Sequence, residues 1–198
     1  VTEVGLDEVR DYVNRTFRPI AAEKGLGFEV DIEPDLPEKI STDEQRLQQV
    51  LKNLLSNACK FTQSGSVALR MSRAGDDAKL QERTLRDADD VLSFAVTDTG
   101  VGIPADKLKL IFEAFQQADG TTSRRYGGTG LGLSISREIA RLLGGEIKVR
   151  STAGEGSTFT LVLLSSRAPR SSVVELPRED KEIPQPEFDP ELLLKSEI

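Results

Sequence analysis

The chain has 198 residues, with 26 Lys and Arg against 33 Asp and Glu, for a net charge of −7. That balance argues against broad nucleic-acid binding, which needs basic surface to displace counterions from phosphate. No apolar run approaches the ~20 residues that span a bilayer, the single cysteine excludes an internal disulfide and a multi-cysteine metal site, and the absence of histidine removes the commonest general base and transition-metal ligand.

Residues 1–18 are polar and helical in period, without the pattern of a signal peptide, so a cytoplasmic piece of a longer protein is expected, with membrane anchoring of the parent left open. Leu6, Val9, Val13, Phe17 and Ile20 recur at spacings of three and four, which predicts a helix over 6–22 ended by Gly25 and Gly27. A strand over 28–32 follows. Ser41, Thr42 and Asp43 offer a helix cap, with Glu44 three after Ser41 and Gln45 three after Thr42 in the manner of a capping box. The helix that opens there has an apolar stripe of Leu47, Val50, Leu51, Leu54, Leu55 and Ala58, and a polar stripe of Arg46, Gln49, Asn53, Asn57 and Lys60. Cys59 reads as a small buried hydrophobe on it.

Strands are expected over 67–71 and 91–97, joined by a polar, charged hairpin loop over 75–90 read as a solvated connector. Leu131, Ile135, Ile139, Leu142 and Leu143 predict a further helix that stops at Gly144 and Gly145. Two closing strands, 146–150 and 158–164, flank the turn 153–156. Prolines at 169, 177, 184, 186 and 190 leave no room for a long element, so 166–198 reads as an acidic linker or disordered tail behind a domain over 1–165. Strands and helices mix without strict alternation, which gives an α+β class, one sheet covered on one face by helices.

Four clusters carry chemistry. Asparagine is a poor helix former, so two of them one turn apart, Asn53 and Asn57, suggest side chains kept for their oxygens; the alternative is a plain polar helix face. Mg²⁺ takes oxygen ligands and keeps several waters, so one or two amide oxygens beside phosphate suffice, and Lys60 adds a point charge. The second cluster is Asp98-Thr99-Gly100-Val101-Gly102-Ile103-Pro104 at the end of a strand. A carboxylate there can accept from an exocyclic amine such as that of adenine, with glycines letting a flat base pack close. Asp-Thr-Gly after an apolar strand is also the triplet of aspartic proteases, which pair two such carboxylates. The third is the run from Arg124 to Ser136, RRYGGTGLGLSIS, whose glycines end where a helix begins. Unpaired N–H groups of a helix's first turn attract an anion, so the run reads as a phosphate cradle or as an ordinary loop. The fourth is Gly154-Glu155-Gly156-Ser157-Thr158. Between the second and third, Phe112 and Phe115 precede a polar stretch and look like the anchor of a movable lid.

In order and spacing, QVLKNLLSNACKFT, DTGVGIP, IFEAFQQ, YGGTGLGLSIS and GEGSTFTL resemble the N box, first glycine box, F box, second glycine box and third glycine box of sensor histidine kinases. The resemblance covers about residues 1–165. It extends to the wider group shared with gyrase, the heat-shock-90 chaperones and the MutL ATPases, and implies a two-layer sandwich with a mixed sheet and a flexible ATP lid. FQQADGTTSRRYGGTGLGLSIS is similar to hybrid sensor kinases in particular, whose catalytic domain precedes a receiver.

The resemblance implies ATP and Mg²⁺ as cofactors, Asn57 as the main metal ligand with Asn53 beside it, and Lys60 and Phe61 flanking phosphates and ribose. It implies Asp98 on the adenine amine, Gly100, Gly102 and Ile103 shaping the base pocket, and Phe112 and Phe115 anchoring the lid. Gly128, Thr129, Gly130, Leu131 and Gly132 would hold phosphate, Gly154, Gly156, Ser157 and Thr158 would close the base side, and Arg124 or Arg125 would reach the γ-phosphate. The implied partners are a histidine-bearing dimerisation domain of a homodimeric parent and a receiver or response regulator. Two rival functions stand beside the kinase. One is an ATPase or nucleotide-sensing module of the same fold, disfavoured as a hydrolase because no Glu lies between Gln45 and Lys60. The other is a dimeric aspartic protease built on Asp98, which leaves the glycine boxes without a role.

Overall fold

A computed structural model describes residues 1–75, 85, 91–112 and 131–165, all of which lie within one unit, Val1–Ala168. In chain order the elements are β1 (Thr2–Gly5), α1 (Leu6–Glu23), β2 (Gly27–Ile32), β3 (Lys39–Thr42), α2 (Glu44–Phe61), β4 (Ser66–Arg73) and β5 (Val91–Asp98). A single 3-10 turn at Leu110–Phe112, then α3 (Gly132–Leu142), β6 (Glu146–Thr152) and β7 (Gly156–Leu164), complete the described chain.

Five strands form one mixed sheet in the order β2-β4-β5-β7-β6, parallel between β2 and β4 and antiparallel elsewhere. The period of two along a strand sorts its faces. Val67, Leu69 and Met71 of β4, Leu92, Phe94 and Val96 of β5, and Phe159, Leu161 and Leu163 of β7 are buried in one cluster with the apolar stripes of the helices. The alternate residues, among them Ala68, Arg70, Ser93, Ala95 and Thr97, form the face turned away from those helices. The α+β two-layer expectation therefore holds, with a mixed sheet and helices on one side.

Some expectations are corrected. The first residues are not helical: Thr2–Gly5 pair antiparallel with Lys39–Thr42 in a separate two-stranded sheet. Ser41 and Thr42 consequently lie in a strand, and it is Asp43 that caps α2, its Oδ1 accepting from the Arg46 N–H at 3.1 Å; no capping box forms there. On α1 the stripe ends on buried Ala21, and Ile20 is 39% exposed. On α3 the buried face is Ser136, Ile139 and Ala140, whereas Ile135 and Leu142 are 46% and 58% exposed. The loop over 75–90 falls mostly outside the described residues; Leu85, which is described, is not solvated but buried against Val91 and Val162 on the sheet face turned away from α1, α2 and α3. The tail over 166–198 lies outside the described residues. Among the described residues, no helix is long and apolar enough to cross a membrane.

Candidate functional site

Helix α2 is fixed by seven buried side chains, Leu47, Val50, Leu51, Leu54, Leu55, Ala58 and Cys59. That anchoring decides which way its polar stripe points. Arg46 and Gln49, near its start, are exposed, while Asn53, Asn57 and Lys60 are half-buried, so the polar stripe divides into a solvated end and a recessed end. At the recessed end the Lys60 ammonium stands 5.1 Å from the centre of the Phe61 ring.

Asp98 closes β5 as a buried carboxylate, one residue before the chain leaves the sheet. Its Oδ1 accepts from the Gly100 N–H at 2.8 Å, and the Ser157 N–H also donates to the carboxylate. Burial pushes the carboxyl above its ordinary value, and those two donors pull it partway back. The Cys59 thiol is also raised, first by burial, with the Lys24 ammonium opposing and the Asp98 carboxylate adding to the shift. Lys24 reaches this region too, its Nζ donating to the Cys59 carbonyl at 2.8 Å.

The chain segments that carry the sequence clusters meet around this carboxylate. A Cβ on Gly100 would lie 2.5 Å from the Phe61 carbonyl oxygen, at the end of α2. The Gly154 N–H donates to the Val101 carbonyl at 2.7 Å, which ties the β6–β7 turn to the loop after β5. Gly156 has φ +117°, and a Cβ there would land on the Asp98 carbonyl oxygen, so no other residue fits the crossing of β7 over the end of β5. At the far side of α2, a Cβ on Gly132 would stand 2.6 Å from Asn53 Oδ1. The first turn of α3, whose N-cap Leu131 makes no side-chain cap, is thereby pressed against the asparagine helix.

Of the residues singled out in the sequence, Asn53, Asn57, Lys60, Phe61, Asp98, Gly100, Gly102, Ile103, Leu131, Gly132, Gly154, Gly156 and Ser157 lie on these converging segments. Phe112 is a buried core residue, edge-on to Phe159 at 6.5 Å and covered by the Arg137 guanidinium at 5.6 Å. Thr158 is placed differently: its hydroxyl bonds the Thr97 hydroxyl at 3.1 Å, and strand alternation turns it away from Ser157. Phe115, Arg124, Arg125, Gly128, Thr129 and Gly130 lie outside the described residues.

Two serines were not singled out in the sequence. Ser151 Oγ accepts from the Ile103 N–H at 2.8 Å, contacts the Gly156 carbonyl at 2.8 Å and the Ser157 hydroxyl at 2.9 Å, so one hydroxyl joins three segments. Ser136, buried on α3, accepts from Asn53 Nδ2 at 2.9 Å. Ser136 meets Asn53 across 83 residues and Ser151 meets Ile103 across 48, and no local pattern marks either hydroxyl.

The family described as histidine kinase-, DNA gyrase B-, and HSP90-like ATPase matches residues 42–167. The autoinducer 2 sensor kinase/phosphatase LuxQ of Vibrio vulnificus is 44% identical over 145 residues, 73% of this chain and 16% of its own length. The sensor histidine kinase RcsC of Escherichia coli is 38% identical over 170 residues, 85% of this chain and 16% of its own. Among solved structures, full-length ShkA in complex with AMPPNP superposes with a TM-score of 0.67 at 33% identity, over 85% of this chain and 32% of ShkA. The chain thus spans about a sixth of the length of these curated relatives.

Proposed function

The chain belongs to the histidine kinase-, DNA gyrase B-, and HSP90-like ATPase family, and on that premise we propose that it is the ATP-binding catalytic domain of a sensor histidine kinase. Its substrate is ATP, and its acceptor is a histidine on a separate dimerisation domain, since this chain contains no histidine. The observation that carries the reading is the contact of the asparagine helix with both the Asp98 loop and the glycine start of α3, and of the Asp98 loop with the β6–β7 turn. A dimeric aspartic protease would leave three of those four segments unused.

Each segment has a task under this reading. A carboxylate accepts up to about four hydrogen bonds. Asp98 takes two from backbone and keeps capacity for the adenine amine. Gly100, Gly102 and Ile103 wall the base, with Gly154, Gly156 and Ser157 across from them. The N–H groups of Leu131, the N-cap, and of Gly132, the first residue of α3, face phosphate oxygens, joined by the glycines at 128 and 130 and by Thr129. Phe112 and Phe115 anchor the lid, and Arg124 or Arg125 reaches the γ-phosphate.

Among the described residues no group of three carboxylate, thiol or imidazole side chains could hold a metal. The neutral oxygens of Asn57 and Asn53 instead fit Mg²⁺ that brings its own waters and phosphate ligands. Bound there, Mg²⁺ would neutralise charge on the phosphates; Lys60 would add a point charge, and catalysis would rest on positioning and electrostatics. Without a Glu between Gln45 and Lys60 to activate water, bound ATP should persist until an acceptor arrives. The parent is read as a cytoplasm-facing homodimer that hands the phosphoryl group to a receiver domain.

The test is direct. With Mg²⁺, calorimetry should find ADP and ATP binding, and radiolabel from γ-labelled ATP should pass to an added histidine-bearing helical hairpin. Absence of nucleotide binding would refute the reading. Binding without transfer to any hairpin would favour a nucleotide-sensing module.

A further inference from the structure

Asn53 sits between two positions of α3 that lie one turn apart and so share a face, Gly132 and Ser136. Its Nδ2 donates to Ser136 Oγ at 2.9 Å, across 83 residues of sequence. Its Oδ1 lies 2.6 Å from where a Gly132 Cβ would stand, so a side chain there would push the carboxamide aside. The serine is 2% exposed, so its hydroxyl has no free access to water as an alternative partner.

A carboxamide is nearly symmetric in shape, and rotation by half a turn exchanges its oxygen and nitrogen. Only hydrogen-bond partners choose between the two orientations. Here the buried hydroxyl takes the nitrogen, which leaves the oxygen at the uncapped first turn of α3. The contact also locks the two helices in register, since Gly132 permits the approach and Ser136 fastens it.

We infer that Ser136 is a positioning residue for nucleotide binding: it orients the Asn53 carboxamide and holds the asparagine helix against the glycine start of α3. The inference rests on the nucleotide reading given above for its consequence, though not for its geometry. Ser136 touches neither metal nor phosphate; it acts through Asn53. Loss of its hydroxyl should therefore act on the Mg²⁺ dependence of binding rather than on the base pocket at Asp98.

The experiment compares Ser136→Val, Ser136→Thr, Asn53→Ala and the double variant Ser136→Val/Asn53→Ala in the full chain. ADP affinity is measured by calorimetry over a titration of Mg²⁺, and the apo chains are observed by ¹⁵N NMR at the Asn53 carboxamide. Valine fills the serine's space without an acceptor, whereas threonine keeps the hydroxyl.

Ser136→Val should raise the Mg²⁺ concentration for half-maximal enhancement of binding about fivefold, the effect of one neutral hydrogen bond. Threonine should restore it, and the valine change should add nothing once Asn53 is alanine, the mark of a coupled pair. In the apo chain the Asn53 carboxamide protons should exchange slowly in the wild type and the threonine variant and quickly in the valine variant. If Asn53→Ala shifts the Mg²⁺ dependence and Ser136→Val does not, the inference is overturned and the nucleotide reading stands. If the wild-type chain binds no nucleotide at any Mg²⁺ concentration, the nucleotide reading falls, and the functional part of this inference falls with it. The carboxamide exchange then decides the positioning part: fast exchange in the wild type overturns that too.

Discussion

Asp98→Asn separates what the buried carboxylate does for a ligand from what it does for the fold. In the wild type two backbone N–H groups, from Gly100 and Ser157, already converge on this carboxylate. An aspartate still has acceptor capacity for an exocyclic amine, but an asparagine offers only one oxygen and brings two donors of its own. One of the three donors must then face an NH₂ group. A hydrogen bond to a charged group contributes about 2 kcal/mol, so ADP affinity should fall about thirtyfold. Guanine carries a carbonyl where adenine carries its amine, so the variant should also lose much of its preference for ADP over GDP. The apo chain should behave differently, because removing a buried charge relieves the desolvation that raises the Asp98 pKa, and its melting temperature should stay within about 4 °C of wild type.

The pH dependence follows from the same shift, with opposite signs for stability and binding. A carboxyl whose folded pKa lies above its unfolded value binds its proton more tightly when folded. Its contribution to stability is therefore full below the ordinary carboxylate value and is lost as pH rises through the raised one. Binding of an amine donor needs the ionised form, so ADP affinity should decline as pH falls through the raised value, and the decline should vanish in Asp98→Asn. Calorimetry with ADP and GDP at several pH values, with apo melting curves alongside, reads all of this. Wild-type ADP affinity in the variant, or equal loss of ADP and GDP binding, would refute the assignment.

Two glycines of the β6–β7 turn should respond unequally to alanine. Gly156→Ala puts a Cβ onto the Asp98 carbonyl at φ +117° and should cost about 3 kcal/mol or more, read as a lowered denaturant midpoint. Gly154 also has positive φ but meets nothing within 4 Å, so Gly154→Ala should cost about 1 kcal/mol; equal effects would show that crowding at β5 is not what selects Gly156. Leu85→Ala should cost about 2 kcal/mol because the side chain is buried against Val91 and Val162, and a change within about 0.5 kcal/mol would show that this contact adds nothing to stability.

What the sequence disclosed, and what it withheld, follows from the range over which each signal acts. The stripes of α2 were legible because both are written in one helix at a period of 3.6, and the burial of Leu47 through Cys59 turns the asparagines inward without help from elsewhere. Asp98 and its glycines were legible because a carboxylate at a strand end followed by Gly-x-Gly is a local pattern. The β1–β3 pair was not, since each partner has four residues and the pairing joins segments more than thirty residues apart. The helix opens where the cap residues place it, but the capping box was misread for the same reason: Ser41 and Thr42 satisfy the local pattern, and pairing with β1 claims them for a strand. On α3 the apolar residues alone suggested a face through Ile135 and Leu142, while the face that packs carries Gly132, Ser136 and Ala140. Small residues win there because Asn53 of α2 bonds Ser136 and comes within 2.6 Å of where a Gly132 Cβ would stand, so bulk at either position would displace the carboxamide. Hydrophobic patterning counts apolar bulk, so it passes over contacts made by the absence of bulk. Ser136 and Ser151 stayed hidden on those grounds: each joins segments by a hydroxyl, and a hydroxyl leaves no period in the sequence.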